Sequence, residues 1–295
     1  MLVGAHVSVA KGLIASLEYA RDVGCECIQV FAKSPRRWVG PPPDIEAGLR
    51  FAEARESHGI RAVYTHTAYL INLAATDPEA RARSIEALAD EIVRGRLLSA
   101  EGVITHLGTD PLGDPEGAAE RIAMAVRDAF DIADDAGPGL DDTDRRRTRL
   151  LLENSAGAGH TYGRDVEQLA TVFDAAPELR ESLGVCVDTC HGHVAGMGLG
   201  TPEEWTTLIE SIDTRCRPGA LEVVHANDAV YGGGSRRDRH AWIGDGTLGH
   251  EPFAAMFTVL AGTGTCAITE MPGEVPVKDS ENIRRLKGLR AQVAQ

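Results

Sequence analysis

The amino-acid sequence predicts an α/β protein, a (β/α)8 TIM barrel that forms a single domain over residues 1–295. Eight short apolar runs rich in valine and isoleucine alternate with longer amphipathic stretches along the 295 residues. Near-continuous apolar runs are typical of parallel strands that are buried on both faces. The chain also has the usual length of this barrel. The predicted strands are 2–9, 27–33, 61–66, 102–108, 149–157, 184–191, 221–228 and 265–272.

The segments between the predicted strands have the periodicity of amphipathic helices. Several open with capping residues, as in DPEGAAER, TPEEWTTL and KDSENIRR. An open doubly wound sheet is the alternative architecture, but it would need a phosphate-binding GxGxxG turn, and none follows any of the eight runs. In the segment 114–135 the apolar residues at helical spacing are Ile122, Val126, Ala129, Phe130 and Ala133.

Two segments depart from the strand and helix pattern. Residues 134–148, DDAGPGLDDTDRRRT, are charged and contain glycine and proline, which predicts an inserted surface loop. Residues 227–250 are long and rich in glycine, and they contain Asp238 and His240. Loops of that length inside a compact fold usually carry function.

Composition limits the classes of function. The formal net charge is −14, which argues against general nucleic-acid binding through a basic surface. None of the six cysteines forms a close CxxC pair, so we interpret them as small buried hydrophobic residues. No apolar run approaches the roughly 18 residues of a membrane helix, and no secretory signal is recognisable. We therefore expect a soluble, cytoplasmic monomer without a membrane partner.

Six successive predicted strands end on an imidazole or a carboxylate. In a barrel the carboxyl ends of the strands share one rim, where active sites lie. A single histidine or acid at such a position is usually a satisfied rim residue or a helix cap, but six in succession need another explanation. Closely packed carboxylates repel one another unless a cation or a proton compensates them. The converging residues are His66, His106, Glu153, Asp188, His191, His225, Asp238, His240 and Glu270.

The ligand types and their charges indicate more than one metal ion. Imidazole together with carboxylate suits zinc without any thiolate, so Cys186 and Cys190 are interpreted as bystanders. Five neutral histidines and four carboxylates carry four negative charges, which two zinc ions would neutralise. A third ion would leave the cavity positive. Such a cavity suits an anion such as a phosphodiester.

The motifs that carry these residues resemble one known family. Together they resemble endonuclease IV, the zinc-dependent apurinic/apyrimidinic endonuclease family, from about residue 3 to about residue 272. The segments, in chain order, are HVSVAKGL, FAKSPRRW, HTAYLINL, LLENSAGAG, GVCVDTCH, VVHAND, GGSRRDRH and ITEMP.

The resemblance implies three zinc ions per chain, with Mn²⁺ or Fe²⁺ as alternatives at some sites. Glu153 would bridge the first two ions. The implied ligands are His66, His106 and Glu153 for the first ion, Glu153, Asp188, His225 and Glu270 for the second, and His191, Asp238 and His240 for the third.

The resemblance also implies an activity. The family hydrolyses the phosphodiester on the 5′ side of an abasic site in double-stranded DNA, and leaves a 3′-hydroxyl and a 5′-deoxyribose phosphate. The implied catalytic residue is Glu153, which helps to position the attacking nucleophile. Removal of blocking groups from 3′ ends is expected as well. Arg36 and Tyr69 match the family residues that contact DNA and fill the gap left by the missing base.

Two alternatives remain open. A sugar isomerase or epimerase on the same barrel would use Glu153, Asp188, His225 and Glu270 around one or two ions. It would have no use for the remaining histidines or for the DRH triplet at 238–240. The other alternative is a protein without catalytic activity, either a binder of damaged DNA or a zinc store.

Overall fold

The computed structural model describes residues 1–136 and 148–293. Eight parallel strands pair in chain order, and the last pairs with the first to close a barrel. Two short strands, β8 and β9, form a separate antiparallel pair. The strands are β1 Leu2–His6, β2 Cys27–Phe31, β3 Ala62–His66, β4 Gly102–Thr105, β5 Arg149–Glu153, β6 Leu183–Asp188, β7 Leu221–His225, β8 Asp228–Ala229, β9 His240–Ala241 and β10 Cys266–Thr269.

Helices follow the barrel strands and cover the outside of the barrel. Side chains cap several of them, and Thr201 forms a full capping box with Glu204. No helix among the described residues has both the length and the apolar character needed to cross a membrane. The helices are α1 Leu13–Asp22, α2 Ile45–Ser57, α3 Pro78–Leu97, α4 Pro115–Asp135, α5 Val166–Ala175, α6 Thr189–Ala195, α7 Pro202–Arg215, α8 Glu251–Val259 and α9 Val277–Val293, with a 3₁₀ turn at Pro177–Ser182.

The predicted barrel is confirmed, and its eight strands lie within or beside the eight predicted runs. The predicted helix at 114–135 is also confirmed, and its five predicted core residues are buried. Seven of the eight barrel strands end earlier than predicted, whereas β3 ends at His66 as predicted. The run 184–191 is the clearest case, because β6 ends at Asp188 and residues 189–191 begin α6. The Asp188 carboxylate accepts the N–H of His191 and so caps the helix that starts there.

The barrel separates two layers of apolar side chains. One layer lies between the strands and the helices, and the other fills the barrel interior. The interior layer includes Cys27, Cys186 and Cys266. All six cysteines are buried and free, as the sequence predicts, and burial raises the pKa of the Cys186 thiol to about 12.

The predicted surface insertion at 134–148 lies largely outside the described residues. Of its ends, Asp134 and Asp135 form the last residues of α4, and Thr148 is buried directly before β5.

Glu26 ties the first strand of the barrel to the last helix. Its carboxylate accepts the Val3 N–H at 2.9 Å and two guanidinium N–H groups of Arg290 at 2.7 and 3.0 Å. Burial alone would raise the pKa of Glu26, but the hydrogen bonds from Arg290 and Val3 and the charge of Lys287 lower it to about 2. The ionised carboxylate therefore stabilises barrel closure.

We expect Glu26→Gln to destabilise the fold in a pH-dependent way. Because the folded-state pKa is depressed, the contribution of Glu26 is fully present above its unfolded pKa and is lost as the pH falls toward 2. The variant should lose roughly 1–2 kcal/mol at pH 7, since solvent screening reduces the effect of a partly exposed pair. Urea unfolding of both proteins from pH 7 to pH 3 measures this. A difference that stays constant below pH 4 would contradict the assignment.

Candidate metal centre

Each of the eight barrel strands places one polar side chain at the same level of the carboxyl-end rim. Alternate residues of a strand face the same side, so the residue two positions beyond an interior apolar residue also points inward. Six ligands predicted from the sequence obey this rule. The pairs of interior residue and ligand are Tyr64 and His66, Ile104 and His106, Leu151 and Glu153, Cys186 and Asp188, Val223 and His225, and Ile268 and Glu270.

The first group of ligands consists of His66, His106 and Glu153. Glu153 Oε2 lies 3.0 Å from His66 Nε2 and 3.6 Å from His106 Nε2. The other ring nitrogen of His66 bonds to the Thr67 carbonyl oxygen at 2.9 Å, which leaves Nε2 turned toward Glu153. The ligand atoms of the three residues lie within 4.8 Å of one another, a spacing at which one ion could be bound.

The second group contains Glu153, Asp188, His225 and Glu270, again with ligand atoms within 4.8 Å of one another. His225 Nδ1 lies 3.1 Å from Glu153 Oε1, 3.3 Å from Glu270 Oε2 and 4.0 Å from Asp188 Oδ2. Glu153 therefore turns one oxygen toward each of the first two groups. A carboxylate in this position could bridge two ions.

The third group contains His191, Asp238 and His240. Asp238 carboxylate oxygens lie 3.3 Å from His191 Nε2 and 3.6 Å from His240 Nε2. His240 Nδ1 bonds to the Glu270 carbonyl oxygen at 2.9 Å, while its Nε2 is buried and has no hydrogen-bond partner among the described residues. A buried ring nitrogen without a partner is costly, and a metal ion at this point would supply one.

Cys190 lies close to this third group. Its thiol is within 4.8 Å of ligand atoms of Asp188 and His240. Burial raises the pKa of the Cys190 thiol to about 12, which favours the protonated form and makes it a weak ligand beside imidazole and carboxylate. Cys186 lies deeper, inside the barrel.

The ligands compensate one another electrostatically when no ion is bound. Burial alone would raise the pKa of Glu153, but the charges of His106 and His225 hold it well below its usual range. Burial alone would lower the pKa of His191, but Asp188, Asp238 and Glu153 raise it well above its usual range. Protons on the histidines therefore supply part of the positive charge that bound cations would supply, and cation binding would release these protons.

Gln29 completes the rim at β2 and was missed in the sequence. It is fully buried, its Nε2 donates to Glu270 Oε1 at 2.7 Å, and its Oε1 accepts from His225 Nε2 at 2.6 Å. His225 must therefore carry a proton on Nε2, so that Nδ1 is the ring nitrogen that faces the carboxylates and could bind an ion. His6, at the end of β1, lies 2.8 Å from Gln29 Nε2 and 3.2 Å from Glu270 Oε1.

Two asparagines that follow strands hold the ligand-bearing backbone. Asn154 Oδ1 accepts the Asp188 N–H at 2.6 Å, and the Asn154 carbonyl oxygen lies 3.0 Å from His191 Nδ1. Asn227 donates to Asp188 Oδ2 at 2.7 Å, and its Oδ1 accepts the Glu270 N–H at 2.8 Å. Asn154 directly follows Glu153 in the motif ENSAG, and Asn227 lies two residues after His225 in the motif HAND.

Asp228 organises the long loop at 227–250, which supplies Asp238 and His240. Its buried carboxylate accepts N–H groups from four residues of the loop, at distances of 2.7 to 3.0 Å. Gly246 must lack a side chain here, because a Cβ would come within 2.3 Å of Asp228 Oδ1. The donors are Ala229, Gly244, Gly246 and Leu248.

The two residues implied to contact DNA occupy different places. Tyr69 is 66% exposed and lines the cavity of about 520 Å³ that the metal-binding groups open into. Its ring lies 6.0 Å from the His66 ring and 5.6 Å from the Phe31 ring, measured between centroids. Arg36 lies outside this cavity on an exposed turn between β2 and α2.

Comparison with known proteins identifies the family. Residues 17–289 match a family model described as xylose isomerase-like TIM barrel. The chain is 35% identical over 288 residues to a protein named probable endonuclease 4 from Chloroflexus aurantiacus, covering 97% of both chains. The chain belongs to the endonuclease IV family. The crystal structure of endonuclease IV from Thermus thermophilus matches with a TM-score of 0.80 at 30% identity, over 99% of this chain and 100% of that one.

The fold itself extends beyond endonuclease IV. A crystal structure described as a D-tagatose 3-epimerase-like protein has a TM-score of 0.70 at 18% identity, and covers 100% of this chain and 97% of that one. At this level of identity the likeness concerns the fold alone. The ligand set, rather than the barrel, must therefore decide between the activities.

We expect Gln29→Leu to weaken metal binding without unfolding the barrel, because it leaves His225 Nε2 without its partner and Glu270 Oε1 with only the contact to His6. Loss of such supporting contacts typically lowers metal affinity by about 10–100-fold. Zinc retained against increasing chelator, measured by elemental analysis, tests this. Gln292→Leu, on the exposed end of α9, is the control for loss of an amide. Equal zinc retention in both variants would show that Gln29 does not support the site.

Proposed function

We propose that this chain is a zinc-dependent endonuclease that hydrolyses the phosphodiester on the 5′ side of an abasic site in DNA. The observation that carries the proposal is the pair of oxygens on Glu153, one facing each of two neighbouring ligand groups, with a third group beside them. Membership of the endonuclease IV family supports the same activity. All nine proposed ligands come from one chain, so a monomer suffices.

The extra ligand groups favour this activity over sugar isomerisation. An isomerase or epimerase would use the group Glu153, Asp188, His225 and Glu270. In such an enzyme, two further groups of imidazoles and acids near the rim would bind no metal ion. Buried charged or polar groups without compensation are costly, so their presence favours a centre with three ions.

The chain's residues would hold and orient the ions, which when bound would activate the attacking water and stabilise negative charge on the phosphoryl and leaving oxygens. Glu153 fixes the relation between the first two positions, because both of its oxygens are engaged. Gln29 fixes the ring of His225, and Asn154 fixes that of His191. The same centre would accept a phosphate group at a blocked 3′ end, so we include removal of such groups in the proposal.

Unpaired arginines in two loops at the carboxyl end of the barrel support a DNA substrate. Most described arginines form an ion pair with an acid, as Arg55 does with Glu101 and Arg121 with Asp110. Seven described arginines have no ion pair to any described residue. Two of them are Arg61 and Arg81, and the other five lie in the loop after β2 and in the loop 227–250. They are Arg36, Arg37, Arg236, Arg237 and Arg239, and all five are exposed.

The arginine side chain at 237 is held in place without losing its charge. Its guanidinium lies 3.7 Å from the centre of the Tyr231 ring and donates to the Tyr231 hydroxyl at 2.7 Å. On a chain with a net charge of −14, these loops concentrate positive charge where a phosphate backbone would approach the cavity. A neutral sugar would not need them.

A duplex with a single tetrahydrofuran site separates the proposal from its alternatives. The proposed enzyme should cut the strand on the 5′ side of the lesion, and a chelator should abolish the cut. Binding of the duplex without cutting under metal-replete conditions would indicate a damaged-DNA binder. Neither binding nor cutting, with turnover of a ketose, would indicate an epimerase.

We expect Glu153→Gln to reduce incision by about 10²-fold or more, on the scale of losing one electrostatic group in a water-excluded site. The barrel should still fold, because the interior layer below Glu153 is unchanged. Single-turnover cleavage and thermal unfolding measure the two effects. Glu203→Gln, at an exposed carboxylate on α7, is the control. Incision by the Glu153 variant at the wild-type rate would refute the bridging role.

We expect Tyr69→Ala to bind lesion DNA about 10-fold more weakly, because base stacking on an aromatic ring contributes about 1–3 kcal/mol. Zinc content should be unchanged, and Tyr69→Phe, which keeps the ring, should retain most of the affinity. Fluorescence anisotropy with the tetrahydrofuran duplex measures the binding. Loss of zinc in the alanine variant would mean that the residue supports the metal centre instead.

A further inference from the structure

Helix α3 carries a buried polar stripe that the metal centre does not use. Ser84, Glu91 and Arg94 lie on one face of the helix at spacings of seven and three residues. Their relative exposures are 0%, 1% and 8%. An inward-facing helix surface is normally apolar, and charges buried there rarely stabilise a fold more than well-packed hydrophobic residues would. The stripe therefore needs a reason other than stability.

One part of the stripe holds the loop after β2. The Lys33 side chain is fully buried, and its Nζ lies 2.7 Å from Asp90 Oδ2 on α3. The same amine donates to the Trp38 carbonyl oxygen at 3.2 Å. Arg94 donates from Nη2 to the Pro41 carbonyl oxygen at 2.6 Å. Backbone carbonyls at both Trp38 and Pro41 are thus fixed to charged groups on or against α3.

The other part of the stripe holds the loop after β3. Glu91 Oε1 accepts the Ala68 N–H at 3.2 Å, and Ser84 Oγ accepts the Asn72 N–H at 3.1 Å. These two backbone positions lie on either side of Tyr69. The same helix face therefore fixes both loops through directed bonds to the main chain.

Each loop forms a tight turn with an exposed tip. In the first turn, 34–37, the Arg37 N–H bonds to the Ser34 carbonyl oxygen at 3.2 Å, and Pro35 fits its second position. Arg36 is exposed at the third position. In the second turn, 68–71, the Ile71 N–H bonds to the Ala68 carbonyl oxygen at 3.3 Å and Tyr69 is 66% exposed.

We propose that Lys33, Glu91 and Arg94 are positioning residues for DNA recognition, which hold the turns of Arg36 and Tyr69 in one fixed relation through α3. The inference rests on the proposed function, since it takes Arg36 and Tyr69 as the residues that contact the lesion. Turns fixed before binding do not have to be ordered when DNA arrives, which lowers the cost of binding. Hydrogen bonds from charged groups specify position, whereas apolar contact is non-directional.

The state of Glu91 supports a role in positioning rather than stability. Burial raises the pKa of Glu91 to about 7, although Lys33 Nζ lies 3.6 Å from its Oε1. Its second oxygen, Oε2, is buried and has no hydrogen-bond partner among the described residues. The carboxyl group is thus poorly stabilised as an anion, yet it holds the Ala68 N–H.

Arg94→Met tests the proposal on DNA binding. It removes the bond to Pro41 and should raise the dissociation constant for the tetrahydrofuran duplex by about 10-fold, because small misplacements of recognition groups are costly. Incision should show the change in KM, with kcat within about twofold, and zinc content should stay constant. Arg96→Met is the matched control, since Arg96 is also buried on α3 but lies 2.8 Å from Asp134, away from both turns.

A double-mutant cycle separates positioning from general destabilisation. If Arg94 acts through Arg36, the double variant Arg36→Ala with Arg94→Met should bind no more weakly than Arg36→Ala alone. Additive losses would overturn the proposal. So would a loss in the Arg96 control as large as that in the Arg94 variant.

Ser84→Ala provides a second test in case Arg94→Met does not fold. This small change removes the acceptor for the Asn72 N–H and, within α3, the bond from Ser84 Oγ to the Ala80 carbonyl oxygen. It should weaken binding about 2–3-fold in wild type but not in the Tyr69→Ala background. Equal effects in both backgrounds would count against the proposal. If wild type neither binds nor cuts the duplex, the proposed function fails. If wild type does both and the α3 variants match it, only the positioning role fails.

Discussion

The site depends on one geometric constraint, the alternation of side chains along strands that close into a barrel. Because every second residue points inward, the same strand face that fills the barrel with apolar groups must present its next residue at the rim. In this chain each of the eight strands presents a polar residue there. Together they bring imidazoles and carboxylates so close that ligand atoms within each group lie within 4.8 Å of one another. Such a ring is stable only when protons or cations compensate its charges. The barrel's geometry combined with these residue types therefore produces groups of side chains that could bind metal ions.

Glu153 shows how the ring distributes its charge. It is buried at the centre of the cluster, and its two oxygens face different sets of imidazoles. A carboxylate with only one engaged oxygen would need a second partner from solvent, which cannot reach this position. The surrounding amides of Gln29, Asn154 and Asn227 then settle which atom of each ligand faces inward. The ligands supply the charge, and the uncharged groups behind them supply the orientation.

The barrel and six of its eight rim residues could be predicted from the sequence, because apolar runs and the residues that end them are local signals. The end of β6 could not be predicted, because Asp188 is both the last residue of the strand and the N-cap of α6. The predicted run therefore extended three residues beyond the strand. Gln29 was missed because a buried amide inside an apolar run has no local signature, although its position two residues after Cys27 would have placed it on the rim. The charged residues of α3 act through contacts that join distant parts of the chain, and Asp228 acts through bonds across its own long loop. Only the fold brings those partners together.

The acidic composition and a DNA substrate are compatible because the positive charge is distributed unevenly. Away from the site, arginines are mostly bound to neighbouring acids, so their charge is neutralised locally and attracts DNA little. In the loop after β2 and in the loop 227–250, five arginines have no such partner among the described residues. A protein arranged in this way would be repelled by DNA over most of its surface and attracted in one place. With a DNA substrate, that arrangement would orient the approach of the duplex, because one face of the molecule would attract it. Such a charge distribution would contribute more to the orientation of bound DNA than to its affinity. Affinity would then depend on the contacts made by the two turns that α3 is proposed to position.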